Sequence, residues 1–156
     1  SLTPPEMAIT ALPKSAEALF LDNLRLIMAP TGQVDAEFLA DVRAKAARYP
    51  EDAFAEMTLA RAEFVMGDVA AGEAIMTRRL AATPEDKETL LLAGTGRLMA
   101  GIRDEANRTS HYREARAILA KAYRKDERDF RSLFAYAWSR SVEPGYPSEN
   151  DVNVLL

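Results

Sequence analysis

Ala46-Ala47-Arg48-Tyr49-Pro50-Glu51-Asp52-Ala53 and, 34 residues on, Leu80-Ala81-Ala82-Thr83-Pro84-Glu85-Asp86-Lys87 decide how this chain is read. Each stretch ends a run of helix-forming residues at a proline and restarts with two acidic side chains. Proline lacks an N–H and clashes with the preceding turn, so a helix stops there. Acidic residues at a helix start complement the dipole and the free N–H groups, which explains Glu51-Asp52 and Glu85-Asp86 without catalysis. A stop and restart at this period marks helical hairpins stacked one on the next.

Outward from these two points the breaks fall at Pro13, Pro30-Thr31-Gly32, Gly67-Asp68, residues 103–110 and Pro144-Gly145-Tyr146-Pro147. Between them lie stretches of about 11–16 residues, an ordinary helix length. Helices are expected over 15–28, 35–48, 53–66, 69–82, 86–101, 111–124 and 128–140, and an eighth starts at Ser148-Glu149-Asn150-Asp151. Ser15, Asp35 and Asp68 are the expected N-caps, with Thr83 or Asp86 for the fifth helix. Gly67 is expected to take the left-handed position that ends a helix. No alternating pattern of β-branched residues suggests a strand.

With each proline set at position 32 of a 34-residue unit, Gly94 falls at position 8 and Gly72 and Ala115 at position 20. The two helices of a hairpin approach closely there, and a large side chain would wedge them apart. On these residues the chain resembles the tetratricopeptide-repeat family over residues 14–140. The resemblance implies an all-α, right-handed α-α superhelix of three to four hairpins, in units of about 14–50, 51–84, 85–127 and a partial 128–156. Residues 1–13 are read as the remnant of a preceding element. Glu56, Glu63, Arg97 and Arg79 depart from the family pattern, and Phe64 and Leu98 are expected to take over some of the packing.

The resemblance also places positions 2, 5, 9, 12 and 13 of each first helix on a concave face. These are Phe54, Met57, Arg61, Phe64 and Val65, then Glu88, Leu91, Thr95, Leu98 and Met99, then Arg131, Phe134 and Trp138. Phe20 and Leu24 extend the set into the first unit. Phe54, Met57, Phe64, Leu91, Phe134 and Trp138 would supply apolar contact with a protein or peptide, and Arg61 and Arg131 would orient its charge. Such a groove suits an amphipathic helix or apolar segment; the competing reading is burial against neighbouring hairpins or other domains of a parent chain. The Lys and Asn clamp of family members that hold C-terminal carboxylates is missing.

Catalytic signals are weak throughout. There is no cysteine and one histidine, His111, read as an exposed loop residue at a helix start. No HExxH, GxxxxGK[ST] or GxSxG motif occurs. A non-catalytic interaction module with no cofactor is therefore expected. A net charge of −4 argues against nucleic acid as the partner. No apolar run reaches the roughly 20 residues needed to span a bilayer, so membrane insertion is not expected. The lack of cysteine fits cytoplasm and periplasm equally. Both ends look cut, as in a fragment of a larger bacterial protein.

The alternative is an accessory repeat region of a larger enzyme. Leu12-Pro13-Lys14-Ser15-Ala16, Tyr136-Ala137-Trp138-Ser139 and Pro147-Ser148-Glu149-Asn150 are similar to the repeat tail of zinc-peptidase-like bacterial proteins. Residues 103–110 are read either as a recognition loop or as an insertion without a role. A small-molecule pocket within the superhelix is a third possibility.

Overall fold

Aspartate sets where most of the helices begin. A computed structural model describes residues 13–149, 152 and 153, and among them the chain is all-helical, with no strand. The helices are α1 Lys14–Met28, α2 Ala36–Ala46, α3 Ala53–Met66, α4 Val69–Ala82, α5 Lys87–Arg103, α6 Arg108–Lys125 and α7 Phe130–Ser141. Asp35, Asp52, Asp68, Asp86 and Asp129 each accept a backbone N–H from the first turn of α2, α3, α4, α5 and α7, at 2.9–3.1 Å. Each bond satisfies one of the donors that a helix start leaves unpaired.

The first helix departs from this scheme. Pro13 occupies the cap of α1, and Ser15 lies one residue inside the helix, buried. Its hydroxyl makes no hydrogen bond among the described residues, and the Asp52 carboxylate is held below its usual range mainly by the Ala55 N–H. Gly67 also differs from expectation, since its φ of −107° is not left-handed. What requires glycine there is space: a Cβ would meet the Glu63 carboxylate at 2.2 Å. Positive φ occurs instead at Gly32 (89°), Gly145 (83°) and, without glycine, at Glu51 (63°).

Residues 103–110 do not form a loop. Helix α5 runs on to Arg103, a single 3-10 turn spans Glu105–Asn107, and α6 begins at Arg108. The polar side chains of this segment close helix ends. Arg103 donates to the carbonyls of Glu63 (3.0 Å), Phe64 (3.2 Å) and Gly67 (2.7 Å), capping the C-terminus of α3. Arg108 donates to the Gly101 carbonyl at 2.8 Å and does the same for α5. Cations at helix C-termini satisfy orphan carbonyls and complement the dipole.

The packing order follows from the hairpins. Each helix packs on its neighbours in sequence, and α1, α3, α5 and α7 also pack on one another in a row. The even-numbered helices keep their backbones further apart. Small residues permit the close approaches: a Cβ on Gly94 would lie 2.4 Å from Leu119 of α6, and one on Gly72 would lie 3.1 Å from Phe64 of α3.

The four departures from the family pattern are ion pairs between helices. Glu63 is buried, yet Arg43 of α2 binds it with two hydrogen bonds (2.6 and 2.9 Å) and the Asp68 N–H adds a third (2.6 Å). Glu56 pairs with Arg78 at 2.7 Å and with Arg79 at 3.6 Å, so two departures answer each other across the α3–α4 hairpin. Arg97 bridges Glu73 of α4 (2.5 Å) and Glu114 of α6 (3.1 Å). A buried charge is tolerated when paired and hydrogen-bonded in this way.

At the C-terminal end, the Val152 N–H donates to the Ser148 carbonyl at 3.1 Å, the first turn of the expected eighth helix. Asn150, Asp151, the Val154-Leu155-Leu156 end and residues 1–12 of the remnant expected at 1–13 lie outside the described residues.

Candidate functional site

A groove of about 460 Å³ crosses the row of odd-numbered helices. Residues four apart on a helix share a face, and three helices each present a triplet with that spacing. These are Met57, Arg61 and Val65 on α3; Leu91, Thr95 and Met99 on α5; and Phe130, Phe134 and Trp138 on α7. Leu26 and Ile27 of α1 and Ala29 and Thr31 after it close one end. Leu26, Val65, Leu92 and Ala135 are buried and form the floor. Ile27, Phe130 and Phe134 stand at the rim, 56%, 73% and 61% exposed.

Three charged side chains line the groove: Arg61, Glu88 and Arg131. Arg131 grips Glu88 through two terminal nitrogens (3.2 and 2.6 Å) and also reaches Asp129. Those bonds, to Glu88 first and Asp129 second, hold its guanidinium above the ordinary value. Arg61 is placed differently. Its Nε donates to Asn23 of α1 at 3.1 Å, and burial pushes the guanidinium down while nearby Glu88 pulls it back up. Thr95 donates its hydroxyl to the Leu91 carbonyl at 2.8 Å, so this group is committed to the backbone.

Of the residues proposed from sequence, Met57, Arg61, Leu91, Arg131, Phe134 and Trp138 meet in this groove, together with Val65, Glu88, Thr95 and Met99. Phe64 does not. Its ring is 1% exposed and sits in the core between Gly72 and Gly96, so it offers nothing to a partner. Leu98 is fully buried as well. Phe54 packs half-buried against the core outside the groove, and Phe20 and Leu24 are exposed on α1 but do not line it. Ile27 and Phe130 were missed. Phe130 is four residues before Phe134, a spacing that was there to be read.

His111 corrects another expectation. It lies buried in the first turn of α6, not exposed in a loop. Its Nε2 is 3.0 Å from Asp104 and its Nδ1 is 3.4 Å from Glu73 of α4. Asp104 is held below the usual carboxylate range by Asn107 first and His111 second. The side chain thus ties α4 and α6 to Asp104, the residue that follows α5. Among the described residues no group of three or more His, Cys, Asp or Glu is placed to hold a metal ion. No helix among them is long and apolar enough to cross a membrane.

No family model matches the chain, and neither a curated protein nor a solved structure matches it.

Proposed function

We propose that this chain is a tetratricopeptide-like superhelix that binds a peptide or helix of another protein along its concave groove and carries out no catalysis itself. The packing order supports the architecture: paired helices, each second helix also packed on the next pair, and first helices in a row. The observation that carries the function is the rim. Phe130 and Phe134 stand exposed on one side and Ile27 on the other, above an apolar floor. Large aromatic side chains on a rim above a floor of this kind are what a helix-in-groove contact uses.

The test is capture of a partner by the chain and by a Phe130→Glu/Phe134→Glu variant. Both rings are exposed, so the variant keeps its helicity. A partner held by the first and lost by the second supports the reading; identical captures count against it. A second reading, the accessory region of a larger enzyme, is favoured by the outer face of α1. Phe20, Leu21 and Met28 are exposed there, 51%, 76% and 78%, a face that suits cover by other domains of a parent chain.

A further inference from the structure

The groove is apolar, but its charge is not balanced. Of its three charged side chains, Glu88 and Arg131 neutralise each other through two hydrogen bonds. Arg131 is further occupied by Asp129. Arg61 is left over. Asn23 takes its Nε, and among the described residues no carboxylate lies within ion-pair distance of it. Among the lining side chains two arginines thus meet one glutamate, and Asp129, outside the lining, is shared between Arg131 and Lys87, in a chain whose net charge is −4. A neutral amide anchoring Nε leaves the two terminal nitrogens as a fork, the geometry that binds a carboxylate with two parallel bonds.

We infer that the occupant of this groove is an amphipathic helix with one acidic side chain set within its apolar face, and that this carboxylate seats on Arg61. The inference holds only if the groove takes a peptide at all, as proposed above. Size supports a helix. The groove crosses α1, α3, α5 and α7, and packed helices lie 8–10 Å apart, so its length is about 24–30 Å. At a rise of 1.5 Å per residue this accepts about 16–20 residues of helix. The volume of about 460 Å³ takes side chains from one face of such a helix and leaves its backbone above the rim. Burial of Arg61 sharpens the preference, because a charge partly withdrawn from water gains more from a partner than an exposed one does. An all-apolar helix would cover Arg61 and leave its terminal nitrogens without water or a hydrogen-bonded carboxylate, with Glu88 acting only through space.

The experiment is selection from a displayed library of helices about 18 residues long, with the apolar face randomised to include Leu, Phe, Met, Gln and Glu. Glutamate is expected at one apolar-face position among binders that Phe134→Glu abolishes. Replacing that glutamate by glutamine should weaken binding by about tenfold to a hundredfold, the range of a charge-assisted hydrogen bond. The change is made in the peptide and read on the native chain. On Arg61→Met, which keeps the apolar stem, the same replacement should change affinity by less than about twofold. Groove binders with no acidic preference would overturn the inference and leave the groove reading standing. Acidic preference that persists on Arg61→Met would also overturn it. No binder sensitive to Phe134→Glu would sink both readings. Decanoate titrated against Trp138 emission provides a separate arm: saturable binding of this fatty acid, with no helix recovered, would assign the site to a lipid and not to a peptide.

Discussion

Replacing Gly96 by alanine tests the packing that builds the groove, because the helix propensity and the structure predict opposite signs. Gly96 is in the interior of α5, where alanine should stabilise a helix by about 1 kcal/mol. A Cβ there, however, would sit 2.4 Å from Cε2 and 2.6 Å from Cδ2 of Phe64. Carbon atoms prefer about 3.5–4.0 Å, so the ring must move by about 1 Å. It cannot move freely, since Phe64 is 1% exposed and the backbone at Gly72 leaves room for a Cβ only at 3.1 Å on another side. Overpacking of a filled core costs about 1–3 kcal/mol, and a contact this short belongs at the upper end. The net loss should be about 1–2 kcal/mol, or about 2–8 °C in Tm for a chain of this size. Urea denaturation followed by circular dichroism measures it. Phe64→Leu makes room, so the Phe64→Leu/Gly96→Ala pair should show a coupling of at least about 1 kcal/mol. A stabilised Gly96→Ala with no coupling to Phe64 would refute the close approach of α3 and α5.

Three further outcomes follow from single contacts. Arg103→Met keeps the stem but strips three carbonyl bonds from the end of α3, and should cost about 1.5–3 kcal/mol in urea denaturation. Glu51→Gly keeps the left-handed backbone but removes the Cβ that strains it, and should stabilise by about 0.5–1 kcal/mol; a loss would contradict the backbone angle. Glu85 hydrogen-bonds Lys121 and Lys125 of α6, in that order of effect, and its carboxyl is lowered from 4.5 to about 2. A depressed carboxylate contributes stability above the unfolded value and loses it as pH falls, here between about 4.5 and about 2. Titration of the Glu85 carboxyl by NMR should show the low midpoint, and Lys121→Ala/Lys125→Ala should bring it back toward 4.5.

What could be read from the sequence was what repeats along it. Prolines 50 and 84 and the aspartates at helix starts act on their own neighbours, so the helix boundaries were visible within two or three residues. The groove residues of α3 and α5 were reached only through the positions that the family resemblance implies, although they also fall on i, i+4, i+8 stripes. What stayed hidden depends on contacts between distant residues. Glu63 looked like a misplaced charge because Arg43 is 20 residues away on another helix. His111 and Arg103 looked like loop residues because nothing local shows a helix continuing through a polar stretch. Phe64 was assigned both to the groove and to packing, and glycines 72 and 96 on two other helices decide for the core. Arg61, the second arginine of the groove, stood out only when Glu88 and Arg131 were seen to pair with each other.

Photocrosslinking from the groove addresses the central claim most directly. A photoreactive phenylalanine analogue in place of Phe134, at the rim, and another in place of Arg78, exposed on α4 and outside the groove, keep the comparison within one fold. The account predicts a discrete adduct with a partner polypeptide from position 134 and none from position 78. Adducts of equal yield from both, or an adduct from position 78 alone, would contradict the groove as the binding surface.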